Sequence, residues 1–504
     1  MMANHSTIAM PTLAALLEGV VDIPLVADLP VLALRSDSRL VQPGDLFIAL
    51  EGLHTSGTRF VKEAIARGAI AILVDTESVF DLAVTVPVWR VLGLQSRLGQ
   101  IASRFFADPS KELSITGITG TNGKTSIAYY LAQAFSDEGK QVVGSIGTLG
   151  YGAFGRLADA ANTTPDAITL QHLLDEFRSA NIREVVMEVS SHALDQGRVN
   201  NVLFNTAVFT NLSRDHLDYH VDMSTYAAAK RKLFSAAGLE HAVINADDAF
   251  GRELLKELAG QLNVVSYGLD DHQPRGKSPR PSVEATISRQ DINSLVLDIS
   301  SPWGSGQLYA RLAGKFNVYN LLATLSVLCL HGIPFEVALQ RLSTVAGVPG
   351  RMEYFGAAGK PAIFVDYAHT PDALQQALMS LRDQCAGKLV CVFGCGGDRD
   401  QGKRPQMGSI AERYADRIIL TSDNSRSEAP EKIMADIVAG MTGTEPVERH
   451  ADRILAISSA IASSDSQDIV LIAGKGHETY QEIMGKRLPF SDRQLVRNLL
   501  EKTA

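Results

Sequence analysis

The stretch ITGITGTNGKTSIA, Ile115–Ala128, decides how the chain is read. An apolar run of strand length leads into a glycine-rich loop, and the loop ends in Lys124-Thr125 at the head of an amphipathic run. Strand, loop and helix in that order make a phosphate cradle: small residues let main-chain N–H groups wrap an anion at a helix N-terminus. The strict P-loop spacing, G-x-x-x-x-G-K-[ST], is not met, because Ile118 stands where its first glycine belongs. Gly117, Gly120 and Gly123 keep the physics. The candidate nucleotide site is therefore Gly120, Thr121, Asn122, Gly123, Lys124, Thr125 and Ser126. Lys124 is the group to reach the β- and γ-phosphates, and Thr125 the hydroxyl to ligate Mg²⁺. A turn with an incidental lysine is the bland alternative.

Working outward, LSITGIT, QVVGSIGT, REVVMEVSS and FNTAVFTNLS read as buried strands with helices between them. Strands alternating with helices imply a mostly parallel sheet covered on both faces, with ligands at the C-terminal strand ends. Upstream, GDLFIAL (44–50) and GAIAILV (68–74) flank a helical TRFVKEAIARG, and ADPS (107–110) supplies a turn. Residues 263–314 change texture toward a hairpin-type excursion, and helix returns at AGKFNVYNLLATLSVLCLHG. Beyond GVPGRMEYF (347–355), taken as a hinge, AIFVDYA, KLVCVFG, RIILTSD and DIVLIAG are four further strands. The fold class is α/β in three domains: a small α/β domain over 1–110, a central P-loop domain with a parallel sheet over 111–346, and a Rossmann-like domain over 347–504.

The 504 residues are 45% hydrophobic and 20% charged, an ordinary globular mix. A net charge of −9 with no basic stripe argues against nucleic acid as a partner. No apolar stretch reaches the ~18 residues of a membrane span, and MMANHSTIAM lacks a basic n-region, so no membrane insertion is expected and the cytoplasm is the expected compartment. Cys329, Cys385, Cys391 and Cys395 have no second pair at zinc spacing and read as free thiols.

Several polar residues sit where a buried strand ends. Glu188, inside VVMEV, costs several kcal/mol there unless it is paired or bound to metal, which favours a Mg²⁺ ligand. His216, in TNLSRDHLDYH, reads alone as a surface histidine; beside a P-loop in the same sheet it becomes a metal or phosphate candidate. Lys230, in YAAAKRKLF, is by residue type a solvated helix lysine more often than a functional one. Asp366, ending a strand in DYAHTPDAL, is placed to accept from ribose hydroxyls. FGCGGDRDQGKRP (393–405), TSDNSRSE (421–428) and AGKGHE (473–478) occupy the same place after the next strands. Four loops at one sheet edge converge on one pocket.

Taken together, GTNGKTS, MEVSSHALDQGR, TNLSRDHLDYH, AAKRKLF, GRME, DYAHTPD, GCGGDRDQGKRP and AGKGHE resemble the Mur ligases, the ATP-dependent amide-forming enzymes of peptidoglycan precursor synthesis. The resemblance spans essentially the whole chain and points to the member that adds the third residue, meso-diaminopimelate, to UDP-MurNAc-L-Ala-D-Glu. It implies that the first domain holds the UDP part, through SDSR (Ser36 and Ser38) and the loop Leu53, His54 and Thr55. Asn162, Thr163, Thr164, Ser190, Gln196 and Arg198 would hold the muramoyl-dipeptide. It implies that Lys230 is carbamylated, a new anion able to bind a second Mg²⁺ with His216, while Thr125 and Glu188 take the first. Asn317 and Asn320 would lie near the adenine, and Asp366 and His369 would close on the ATP. The amino acid would be read by Arg399, Asp423, Asn424, Ser425, Arg426, Gly474 and Glu478. Here the chain departs from the usual Asp-Asn-Pro-Arg, because Ser425 stands in the proline's place and restores an N–H. Arg426 is kept; it can grip a distal carboxylate that lysine lacks. The implied catalytic set is Lys124, Lys230, His216 and Glu188, with Mg²⁺ as cofactor, ATP as co-substrate and a monomer as working unit. A lysine-adding Mur ligase, a folylpolyglutamate synthetase and a non-ligating P-loop switch are the rival readings.

Overall fold

The computed structural model describes residues 10–52, 55–78, 84–137, 139–160, 162–270, 280–443 and 447–501. They fall into two compact units: 1–117, 142–205 and 232–240 form the first, and 118–141, 206–231 and 241–504 the second. The division cuts through the strand Ser114–Thr119 that feeds the glycine-rich loop.

In the first unit a four-stranded parallel sheet runs Leu34–Arg35, Leu46–Ala49, Ala71–Asp75, Val88–Val91. Two of these strands match the runs marked in the sequence. The outer two were not anticipated, because one is two residues long and the other is largely half-exposed, so neither carries a buried apolar run. Leu46, Ile48, Ala71 and Leu73 pack on the helix Leu94–Phe105 through Leu94, Leu98 and Ile101; Phe47 and Ile72 face the other side with Val61 and Ala64. That two-sided core is why these strands read as continuous apolar runs rather than as alternation. The same unit carries the parallel pair Gly144–Gly147 and Glu184–Glu188, extended by the antiparallel strands Gly150–Ala153 and Arg156–Ala158.

In the second unit Thr206–Phe209, His241–Asn245, Asn263–Leu269 and Val283–Asp291 pair in parallel. Ser294–Ser301 and Gly304–Ala310 then add an antiparallel meander. The expected hairpin is thus three strands, and the run starting at Asn263 belongs to the parallel part. The helix Phe316–Leu330 packs against this sheet and against the helix Lys124–Ser136. Its residues from Leu321 to Cys329 are all buried, which explains an apolar sequence with no polar face. Lys124–Ser136 ends in Asp137 at φ 46°, a left-handed cap.

A six-stranded sheet completes this unit in the order Glu353–Phe355, Ala362–Asp366, Ile469–Ala473, Leu389–Phe393, Arg417–Thr421, Glu448–His450. The inner four are the anticipated strands, mutually parallel. Their C-terminal ends release residues 366–370, 394–402, 422–428 and 474–479 at one edge. The strand Glu353–Phe355, inside the segment taken as a hinge, the strand Glu448–His450 and a separate hairpin, Tyr480–Ile483 with Lys486–Pro489, were not foreseen.

Candidate functional site

The glycine-rich loop of the second unit is held by the segment that follows the strand Thr206–Phe209. Asn211 Oδ1 accepts the Asn122 N–H at 2.9 Å, and Thr210 Oγ1 donates to the Asn122 carbonyl at 2.6 Å. The Thr121 N–H reaches the Asn211 carbonyl at 2.8 Å, and Thr121 Oγ1 lies 3.2 Å from the Tyr226 hydroxyl. Gly120 sits at φ 147°, and a Cβ there would lie 1.8 Å from Thr210 Oγ1. Gly123 caps the helix at φ 89°, with Asn320 Oδ1 2.7 Å from where a Cβ would stand. These two glycines are thus required by both dihedral and space.

Two ammonium groups meet on this loop. Lys124 Nζ donates to the Gly120 and Thr121 carbonyls at 2.7 and 2.8 Å, and Lys230 Nζ to the same Gly120 carbonyl at 2.8 Å. Lys230 is 1% exposed, so its placement is not that of a solvated helix lysine. Its ammonium lies 4.2 Å from the Tyr226 ring centroid. Burial first, then the Lys124 charge, pushes the Lys230 amine well below its ordinary pKa. His216, with its ring 3.3 Å from Asp215, is lowered to about 4 by burial, against the Asp215 charge and with Lys124 and Lys230. His369 is likewise lowered to about 4, by burial and then Lys403. Burial raises Asp215, but His216, His369 and Lys403 outweigh it and hold the carboxyl below its usual range. The loop carrying His216 thus shares one cluster of charge with the loop carrying His369.

Further contacts tie these elements together. Asn122 Nδ2 donates to Asp372 at 3.1 Å, and Arg351 Nη2 lies 3.5 Å from Thr125 Oγ1. Asp366, raised by burial, accepts the Met352 and Ala368 N–H groups at 2.7 and 2.8 Å, so it braces the GRME segment. Asn317 Oδ1 accepts from Tyr130 and Asn320, both at 3.0 Å, and its amide nitrogen donates to the Ala313 carbonyl. Asn317 and Arg351 line a cavity of about 230 Å³ with Asn293, Arg311 and Tyr354.

At the edge of the six-stranded sheet, Asp423, Asn424 and Ser425 are buried and Arg426 turns at φ 49°. Arg426 Nη1 donates to the Gly397 carbonyl at 2.8 Å, and its Nε lies 3.6 Å from Glu482. Asn424 Nδ2 donates to Glu478 at 2.8 Å. Gly474, at φ 113°, leaves room for Asp423 Oδ2, which a Cβ would meet at 2.6 Å. Ser425 Oγ is buried without a hydrogen-bond partner. Arg399 is exposed at the rim. The structure adds Lys475, Gln481 and Glu482 to the set. Lys475 lies inside the quoted AGKGHE; the other two belong to a short polar hairpin that leaves no apolar signal.

The first unit gathers the remaining candidates. Glu188 is 2% exposed, and its carboxylate accepts the Thr148 N–H at 2.7 Å and the Thr148 hydroxyl at 3.2 Å. The buried charge is therefore hydrogen-bonded. Thr163 meets Thr148 at 3.1 Å, Thr164 donates to the Glu188 carbonyl at 2.7 Å, and Ser190 caps the short helix after the strand. Arg198 holds Gln196 Oε1 with two N–H groups and the Thr164 carbonyl with a third. The Asn162 carbonyl accepts from Tyr151. Away from that cluster, Ser38 donates to Glu63 at 2.8 Å, while Ser36 and Thr55 are exposed. Leu53 and His54 lie outside the described residues.

Among the described residues no group of three or more His, Cys, Asp or Glu side chains could cage a metal ion. What is present suits Mg²⁺ carried on nucleotide phosphates, for which a protein supplies only one or two ligands. As an ammonium Lys230 is no ligand at all; as a carbamate it would offer two oxygens.

Three models of known families match the chain: "Mur ligase family, catalytic domain" over residues 31–106, "Mur ligase middle domain" over 118–328, and "Mur ligase, glutamate ligase domain" over 350–476. The UDP-N-acetylmuramoyl-L-alanyl-D-glutamate–2,6-diaminopimelate ligase of Coxiella burnetii is 49% identical over 469 residues, covering 93% of this chain and 95% of its own. The protein of that name from Chromobacterium violaceum is 46% identical, covering 94% of both. A solved structure of a ligase with this name superposes with a TM-score of 0.67 at 36% identity, covering 94% of this chain and 95% of its own.

Proposed function

The chain belongs to the Mur ligase family, and from that premise we propose that it is an ADP-forming ligase joining meso-2,6-diaminopimelate to the side-chain carboxylate of D-glutamate in UDP-MurNAc-L-Ala-D-Glu. The observation that carries this reading is the convergence of Lys124 and Lys230 on the Gly120 carbonyl. A loop built to take an anion has the Lys124 ammonium beside it, and Lys230 is buried on the same carbonyl, where a carbamate would hold a metal ion against a transferring phosphoryl group.

A carboxylate does not condense with an amine unaided, because its oxygen is a hopeless leaving group. The glutamate carboxylate oxygen attacks the γ-phosphorus of ATP, the bond to the β-phosphate oxygen breaks, and ADP leaves. The diaminopimelate amine then attacks the acyl carbon, the carbon–oxygen bond breaks, inorganic phosphate departs and the nitrogen loses a proton. Lys124 meets the charge on the transferring group, and the main-chain N–H groups that open the helix at residues 124–126 orient the phosphates. Two Mg²⁺ ions carried on the phosphates would supply charge neutralisation when bound, with Thr125 serving the first, His216 and carbamylated Lys230 the second, and Glu188 a further candidate ligand for the first. The burial that lowers the Lys230 pKa favours the unprotonated amine, the form that captures carbon dioxide, which supports the carbamate on Lys230. Arg426 and Asn424 point to an acceptor with a second carboxylate, hence diaminopimelate over lysine. ATP and a UDP-linked sugar fit work in the cytoplasm, with a monomer as the proposed working unit. The first domain's SDSR segment, absent from the logic of a folate ligase, favours a uridine-linked substrate.

The test is ADP release with ATP, Mg²⁺, UDP-MurNAc-L-Ala-D-Glu and either amino acid. Release should need all components, favour diaminopimelate, and fall roughly 10²–10³-fold in Lys124→Ala. Near-normal turnover of that variant would end the phosphate-site assignment.

A further inference from the structure

Lys475 is fully buried between the loops that follow Ile469–Ala473 and Arg417–Thr421. Its Nζ donates to Asn424 Oδ1 at 3.0 Å and to Glu478 Oε2 at 2.6 Å, and lies 5.6 Å from the Tyr480 ring centroid. Asn424 Oδ1 also accepts the Glu482 N–H at 2.9 Å. Both partners of this oxygen can only donate, since an ammonium and a main-chain N–H have no lone pair. The Asn424 amide therefore has one permitted orientation. Its nitrogen must face away from Lys475, where one N–H goes to Glu478 Oε2 at 2.8 Å and the second is left over. Glu478 Oε2 receives two donors, and its Oε1 is the oxygen that remains.

We propose that Lys475 is a positioning residue that sets the polarity of the amino-acid subsite. Together with the Glu482 N–H it fixes the amide and makes Asn424 a pure donor toward a ligand, beside the Arg426 guanidinium. By holding Glu478 Oε2 it turns the other carboxylate oxygen outward as an acceptor. A donor pair beside one acceptor recognises a zwitterionic amino-acid head, carboxylate against Asn424 and Arg426, ammonium against Glu478. A diamino diacid offers such a head at its far end; lysine offers an ammonium alone. Without the Lys475 charge only the Glu482 N–H still holds Oδ1, and the amide is less firmly kept from inverting to set Oδ1 against the ligand carboxylate. The Glu478 charge would then also stand uncompensated beside that carboxylate. This deepens the functional reading above and rests on it for the ligand's identity.

Steady-state kinetics of Lys475→Met, at saturating ATP and UDP-MurNAc-dipeptide, tests the proposal. The KM for diaminopimelate should rise about 10- to 100-fold, the range expected for a lost charged hydrogen bond. The KM values for ATP and the UDP substrate should stay put, and the diaminopimelate-to-lysine ratio of kcat/KM should fall by a similar factor. An unchanged diaminopimelate KM overturns the proposal, as does an equal rise for all three substrates, which would mark a merely structural lysine. Should the Met variant not fold, Lys475→Gln serves: it can donate or accept, so it no longer adds its constraint on the amide's direction, and the same selective loss is expected. A wild-type protein unable to ligate diaminopimelate would sink the functional reading itself; a competent wild type with an insensitive Lys475 variant would sink this inference alone.

Discussion

Lys230 shows how far a residue's meaning depends on what folds around it. On a helix reading YAAAKRKLF it is indistinguishable from a solvated lysine, yet it is buried against Tyr226 with its Nζ on the Gly120 carbonyl. Glu188 is the opposite case, since its setting in VVMEV announces a buried charge that must be satisfied, and Thr148 satisfies it. If the Lys230 nitrogen carries a carbamate during turnover, Lys230→Ala should cost on the order of 10²–10³-fold in kcat. Added acetate or formate should restore part of the rate by placing a carboxylate in the space the side chain leaves. The rescue assay is decisive, because an active variant, or a dead one that short acids leave dead, contradicts a carbamate.

The loops at the sheet edge act as elements fastened by buried arginines rather than as free connectors. Arg404 is fully buried and joins the loop after Leu389–Phe393 to that after Arg417–Thr421. It donates to both oxygens of Glu428 at 2.7 and 2.9 Å and to Asp436 at 2.8 Å. Arg453 does the same behind the site, with N–H groups on the Ser422 and Ala473 carbonyls and a buried pair with Asp492. The Arg404 side-chain hydrogen bond is the main cause holding the Glu428 carboxyl at about 2, against an ordinary 4.5. A depressed carboxyl stabilises the fold above its unfolded pKa, and that contribution is lost as pH falls through the folded one. Arg404→Met should therefore melt several degrees lower at neutral pH, with the gap to wild type narrowing between pH 4.5 and about 2. Thermal melts of both proteins across that window check it, and a gap independent of pH would show that packing, not charge, is what the arginine contributes. The basic run GKRP was visible in the sequence, but its burial was not, since the partners Glu428 and Asp436 lie 24 and 32 residues away.

Across the molecule, legibility followed burial. Strands with apolar residues on both faces, such as Leu389–Phe393 and Ile469–Ala473, could be read from sequence, as could the loop whose glycines are forced by dihedral and space. Short or half-exposed pieces could not: Leu34–Arg35, Glu448–His450 and the hairpin Tyr480–Ile483 with Lys486–Pro489 owe their form to neighbours far along the chain. The candidate site followed the same rule: strand-end motifs offered Lys124, His216 and Asn424, Thr210 and Arg351 stood inside quoted motifs without a role until distant segments met, and Glu482 lay in the unforeseen hairpin. The whole arrangement has one chemical consequence that no single residue tests. If the loop and its cations drive phosphoryl transfer onto the sugar-peptide's acid, one oxygen of that acid must leave bonded to phosphorus when the amine displaces it. A side-chain carboxylate labelled with oxygen-18 should therefore deliver a single labelled oxygen to each released phosphate, seen as an isotope shift of the phosphorus resonance. Were ATP instead hydrolysed by water and the amide formed separately, the phosphate would carry solvent oxygen, and the ligase mechanism would have to be abandoned whatever the mutants show.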